Sequence, residues 1–81
     1  MTIEVRLFAS LADAVGQRSL AVEMPADSNV EQLWIELGKL HPALAKSKLR
    51  PLVACDMEYA DWSDSLQGVK EVAFLPPVSG G

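Results

Sequence analysis

With 81 residues and a formal charge of −4, this chain has room for one small acidic domain and none for a second core. Hydrophobic residues make up 49% and charged residues 22%, a globular balance that argues against intrinsic disorder, and the seven scattered Lys and Arg residues form no stripe able to neutralise phosphates. One cysteine and one histidine provide neither an internal disulfide nor a structural zinc site, so no metal is expected. With no apolar run of bilayer length and no export signal, the chain reads as cytoplasmic, with no nucleic-acid or membrane partner.

Residues 2–9, TIEVRLFA, alternate between Ile3, Val5 and Leu7 on one side and Thr2, Glu4 and Arg6 on the other, as a half-buried strand does. Phe8 puts an aromatic ring on the outer side of that strand. Ser10 and Asp13 have capping-box spacing before a short helix, LADAV, that Gly16 closes. SLAVEM, residues 19–24, alternates again with Leu20, Val22 and Met24 on one face, and Pro25 ends it.

Ser28 and Glu31 form a clear S-x-x-E capping box, after which Val30, Leu33, Trp34, Leu37 and Leu40 repeat at helical spacing. Pro42 stops this main helix near His41 and is itself suited to the first position of a brief further turn. LVACD, after Pro51, reads as a buried strand, MEYADW as a weaker strand or turn, and VKEVAFL, residues 69–75, as a final strand behind a turn at Gly68. One long amphipathic helix covers only one face of a sheet, so the order implies an α+β two-layer domain.

The interior of the chain offers little chemistry. Cys55 has no basic neighbour to lower its pKa and reads as a small buried strand residue. His41 sits where an imidazole answers a helix C-terminus. Asp61 with Asp64, and Asp56 with Glu58, read as a solvated acidic loop, lacking the apolar surroundings that would separate their pKa values. Trp34 falls on the helix stripe, whereas Trp62 lies in the polar loop as either a lid or a contact. There is no glycine-rich phosphate loop and no nucleophile elbow.

The tail is what packing leaves unexplained. Residues 74–81, FLPPVSGG, hold two of the five prolines and two of the five glycines. Pro76 and Pro77 keep the chain extended and end strand pairing, while Gly80 and Gly81 pass where any side chain would clash. The reactive group at that tip is the α-carboxylate of Gly81. Residues 1–75 are expected to form the domain and residues 76–81 a flexible tail.

The combination EVAFLPPVSGG, supported by VRLFASLADAVG and VACDMEYADW, closely resembles the small, MoaD-type subunits of molybdopterin synthase, within the ubiquitin-like sulfur carriers. The resemblance implies a β-grasp fold with a mixed sheet covered on one face by one main helix. It implies that an ATP-using, E1-like partner adenylates Gly81 and that a sulfur donor converts it to a thiocarboxylate. The tail, through Pro76, Pro77, Val78, Ser79 and Gly80, then enters the large subunit of a heterotetrameric synthase. There its sulfur goes to cyclic pyranopterin monophosphate. The chain itself binds no cofactor in this scheme; ATP is consumed by the partner. The resemblance also implies that Phe8, Tyr59 and Leu75 touch the large subunit. Two departures stand out: QGVK (67–70) replaces a frequent Asp-Gly-Asp turn, and Asp56 stands where asparagine is frequent. Thiamine or another sulfuration pathway, a protein modifier that forms isopeptides, and a β-grasp adaptor with incidental glycines are the competing readings.

Overall fold

The computed structural model describes residues 1–46 and 50–77. The first strand, β1 (Thr2–Leu7), is followed by α1 (Ala9–Val15), β2 (Ser19–Glu23), α2 (Val30–Leu40) and α3 (Pro42–Ala45). Three strands complete the domain: β3 (Leu52–Cys55), β4 (Glu58–Tyr59) and β5 (Glu71–Leu75). In space the strands run β2-β1-β5-β3-β4, and the central pair β1–β5 is parallel while the other pairs are antiparallel. A parallel pair needs a long connection, which everything between β1 and β5 supplies. This is the mixed sheet of a β-grasp domain, as expected.

Alternation dictates the two faces. Ile3, Val5, Leu7, Val22, Val53, Val72 and Phe74 point to the inner face and are buried. They meet Leu11 of α1, Val30, Leu33 and Leu37 of α2, Leu44 of α3 and Leu66 of the last loop in one core. Phe74 is fully enclosed, and burying a side chain of that size is worth about 1.5–3 kcal/mol. The helices cover this face alone, so the opposite face of the sheet is left open.

Several local expectations shift by a residue or two. β1 stops at Leu7 because Phe8, still extended at φ −123° and ψ 150°, is already the N-cap of α1. The helix therefore starts before Ser10, which leaves no Ser10–Asp13 capping box. Gly16 closes α1 in the left-handed region at φ +81°, as its lack of a Cβ allows. The main helix is capped by Asn29, not Ser28. The Asn29 Oδ1 accepts from the Gln32 N–H at 2.9 Å, and the Gln32 Oε1 accepts from the Asn29 N–H at 2.9 Å. Ser28 is buried and its backbone is already engaged: its N–H donates to the Pro25 carbonyl, and its carbonyl accepts from Leu66.

Leu40 departs from the stripe, with 52% of its surface exposed. At 3.6 residues per turn the row Val30–Leu33–Leu37 drifts round the helix, and Leu44 of α3 fills the core position instead. Pro42 does occupy the first turn of α3. The QGVK turn forms well, with Gly68 at φ +81° and the Val69 N–H donating to the Leu66 carbonyl at 2.9 Å. The last strand begins at Glu71 rather than Val69: Val69 closes that turn, and the Lys70 N–H donates to the Asp56 carboxylate instead of a strand neighbour.

Candidate functional site

The open face of the sheet is built by the outward residues of four strands. Register places Arg6 of β1 beside Ala73 of β5, Ala73 beside Ala54 of β3, and Ala54 beside Tyr59 of β4. The two alanines leave a depression in the middle of that row. Bulk returns around it: Phe8 just past β1, Leu75 at the end of β5, Tyr59 on β4, and Met57 in the β3–β4 turn. The resulting groove encloses about 330 Å³. Phe8 is 42%, Tyr59 79% and Met57 91% exposed, so large apolar side chains face water here.

One ion pair interrupts the apolar surface. The Arg6 Nε lies 3.0 Å from the Glu71 carboxylate, and both side chains are partly exposed. The pair keeps the open face hydrated, and burying it would require both charges to stay satisfied. Its members are not register partners (Glu71 lies beside Glu4 and Arg6 beside Ala73), so strand pattern alone does not reveal it.

The β3–β4 turn is unusual. Asp56 and Met57 are its two central residues and both are left-handed, at φ +48° and +73°. Cys55 and Glu58 pair across them, so this is a two-residue hairpin that requires positive φ at both positions. Asp56 tolerates that conformation because its short carboxylate finds local donors. It accepts from the Glu71 N–H at 2.9 Å and from the Lys70 N–H at 3.1 Å, fastening the turn to the start of β5. Met57 has no such compensation, yet it holds its side chain out beside the groove.

The groove ends where the tail begins. Leu75 pairs with Leu52 at the end of β5, and the next residues, Pro76 and Pro77, are half-buried and outside the strand. Phe8, Tyr59 and Leu75, the three residues singled out from the sequence, thus come together on one surface at the root of the tail. Val78, Ser79, Gly80 and Gly81 lie outside the described residues.

Elsewhere the side chains serve structure. Burial pushes the Cys55 thiol above its ordinary value, and the carboxylates of Asp64 and Asp56 raise it further, so the thiol stays protonated and unreactive at neutral pH. Asp61 and Asp64 order their own loop: the Asp61 N–H donates to the Asp64 carboxylate at 3.1 Å. Trp62 is a lid. Its ring lies 5.9 Å from Trp34 and 6.1 Å from Phe74, and the Arg50 guanidinium sits 4.5 Å above it. Arg50 also makes two bonds to Glu31, at 2.7 and 2.8 Å, which explains why Glu31 is not free to cap its helix. The His41 N–H, donating to the Leu37 carbonyl at 2.8 Å, closes α2 through the backbone. No cluster of three metal-ligating side chains occurs among the described residues, and none of their helices is long and apolar enough to cross a membrane.

Comparison with known proteins gives the chain its family. Residues 5–81 match the ThiS family. The chain belongs to the ThiS family. It is 37% identical over 82 residues to a human molybdopterin synthase sulfur carrier subunit, covering 98% of this chain and 93% of that one. The crystal structure of SAMP1 from Haloferax volcanii superposes with a TM-score of 0.86 at 30% identity and full coverage of both chains. A Helicobacter pylori chain, from a complex of subunits 1 and 2 of molybdopterin-converting factor, shares the fold at a TM-score of 0.67 and 20% identity, again over the whole of both chains.

Proposed function

We infer that this ThiS-family chain is the sulfur carrier subunit of a molybdopterin synthase. The observation that carries the reading is the continuity of the apolar groove with the root of the tail. A partner that seats on Phe8, Tyr59, Met57 and Leu75 necessarily receives the chain leaving β5. The name of the human relative supports the same assignment.

The chemistry follows from the weakness of a carboxylate as an electrophile. An E1-like enzyme spends ATP to convert the Gly81 carboxylate to an acyl-adenylate, with loss of pyrophosphate. A hydrosulfide equivalent from a sulfur donor displaces AMP and leaves a thiocarboxylate. In the large subunit that sulfur passes to cyclic pyranopterin monophosphate, and water restores the carboxylate. The two sulfurs of a dithiolene fit an assembly with two copies of each subunit.

Within this scheme Pro76 and Pro77 carry part of the ordering entropy of insertion in advance. Val78 and Ser79 line the tunnel, and Gly80 and Gly81 thread two different active sites. The carrier needs no nucleophile of its own, in keeping with a protonated Cys55. An uncombined thiol and a cytoplasmic location go together.

Intact-mass spectrometry tests the assignment. Incubation with ATP, the activating enzyme and a sulfur donor should add the mass difference between oxygen and sulfur, mapped to Gly81. Addition of the large subunit and the pterin precursor should then return the chain to its starting mass. The likeness to SAMP1, a small archaeal modifier protein, gives a second reading, in which the activated Gly81 forms an isopeptide with a lysine. That outcome appears as a covalent adduct to another protein, and its appearance in place of the sulfur gain would overturn the carrier assignment.

A further inference from the structure

A second cavity, of about 430 Å³, opens beside the groove and is lined by Arg6, Leu7, Phe8, Ala9, Ala12 and Arg18. Its lining has two guanidinium groups and no carboxylate, on a chain whose formal charge is −4. The carboxylate of Glu71 answers Arg6, but Arg18 has no ion pair among the described residues. The Arg18 carbonyl accepts from the Leu7 N–H at 2.8 Å, which fixes the backbone of Arg18 against the end of β1. Ala9, in the same wall, is held at φ +49°, a left-handed conformation that a non-glycine residue keeps only where its surroundings impose it.

Position gives this cationic spot its meaning. β1 and β5 are parallel with Leu7 beside Phe74, and Phe8, the next residue, lines the same groove as Leu75 at the root of the tail. Arg6 and Phe8 line both cavities, which makes the cationic pocket an extension of the apolar groove. Apolar contact alone is non-directional and permits many orientations. An exposed cation carried on an anchored backbone discriminates among them, since opposite-sign registry selects one docking pose and penalises the rest.

We propose that this pocket receives an aspartate or glutamate side chain of the large synthase subunit, which pairs with Arg18 and sets the orientation in which the tail enters. The proposal rests on the carrier reading above. Arg18 is the specificity-determining residue, and Arg6 divides its donors between Glu71 and the partner.

Calorimetric titration of the large subunit with wild type, Arg18→Glu and Arg18→Gln, at low and at high salt, provides the test. Arg18→Glu should weaken binding by about tenfold or more at low salt, with the loss shrinking as salt screens the pair. Arg18→Gln, which keeps the stem and removes the charge, should show a smaller loss and the same flattened salt dependence. Melting temperatures of the variants separate a folding defect from a lost contact. Reversal of one partner carboxylate to Lys should restore binding of Arg18→Glu. Equal affinities and equal salt slopes for all three proteins would overturn the proposal while leaving the carrier reading intact. If wild type itself fails to bind the large subunit, the carrier reading fails and the proposal falls with it.

Discussion

The turn residue Met57 couples stability to docking, and replacing it by glycine separates the two. Met57 sits at φ +73° with 91% of its surface exposed, so its side chain contributes no core packing in the free protein. The left-handed conformation costs a non-glycine residue about 1–2 kcal/mol. Glycine removes that strain but adds backbone freedom to the unfolded chain, worth about 0.5–1 kcal/mol. The net expectation is a variant more stable by about 0.5–1 kcal/mol. For a domain of this size that raises the melting temperature by roughly 2–8 °C.

Docking should move the other way. Full burial of a methionine side chain is worth about 1.5–3 kcal/mol, and if half of it is covered by the partner the loss is about 1 kcal/mol, or roughly fivefold in Kd. Met57→Ala is the control, since it keeps the strain and removes most of the side chain. It should lose affinity as the glycine variant does, without the thermal gain. Calorimetric melting and titration with the large subunit measure both quantities. A melting temperature for Met57→Gly at or below wild type would refute the strain argument, and an unchanged Kd in both variants would remove Met57 from the docking surface.

Asp56→Ala should destabilise by about 2 kcal/mol, because it loses the bonds to Lys70 and Glu71 and leaves alanine at φ +48°, whereas Asp56→Asn should stay within about 0.5 kcal/mol of wild type by chemical denaturation. Asn29→Ala should cost about 1 kcal/mol by the same measurement, since it removes the cap of α2. Cys55 should make stability fall at alkaline pH. Its thiol is raised in the folded state, so the unfolded chain releases the proton first; the contribution is intact below the ordinary thiol value of 9.0 and is lost as pH rises through the folded value. Cys55→Ala should flatten that part of the stability profile, and alkylation of the native protein at pH 8 should be slower than that of the unfolded chain.

The alternating strands, the stripe of α2 and the glycine that ends α1 are legible in the sequence because each depends on local spacing. Capping is less legible, and the reason is specific. Ser28-x-x-Glu31 and Asn29-x-x-Gln32 both have box spacing, and tertiary contacts choose between them. Leu66 takes the Ser28 carbonyl and Arg50 takes the Glu31 carboxylate, partners distant in sequence. The same limit hides the lid. Trp62 reads as a polar-loop residue until Trp34, Phe74 and Arg50 are brought around it. Of the groove, Phe8 is visible as a break in alternation, and Tyr59 and Leu75 only through family resemblance. Met57 escapes because no glycine marks the tight turn that exposes it.

On the function proposed above, a carrier whose chemistry happens in its partners must expose an apolar face and a reactive tail without aggregating, and the fold offers separate devices that answer these demands. Helices cover one face of the sheet, which leaves Ala54, Ala73 and Leu75 available for docking on the other. The unpaired backbone of an edge strand invites pairing between copies, but β4, the edge strand beside the groove, is only two residues long and carries Glu58. The Arg6–Glu71 pair keeps water on the face, and the net negative charge keeps copies apart. None of these features binds a partner by itself. They make the apolar groove tolerable in solution, so that on the proposed function its burial, followed by threading of the tail from Pro76 onward, is left for a surface that matches both the groove and the arginine pocket beside it.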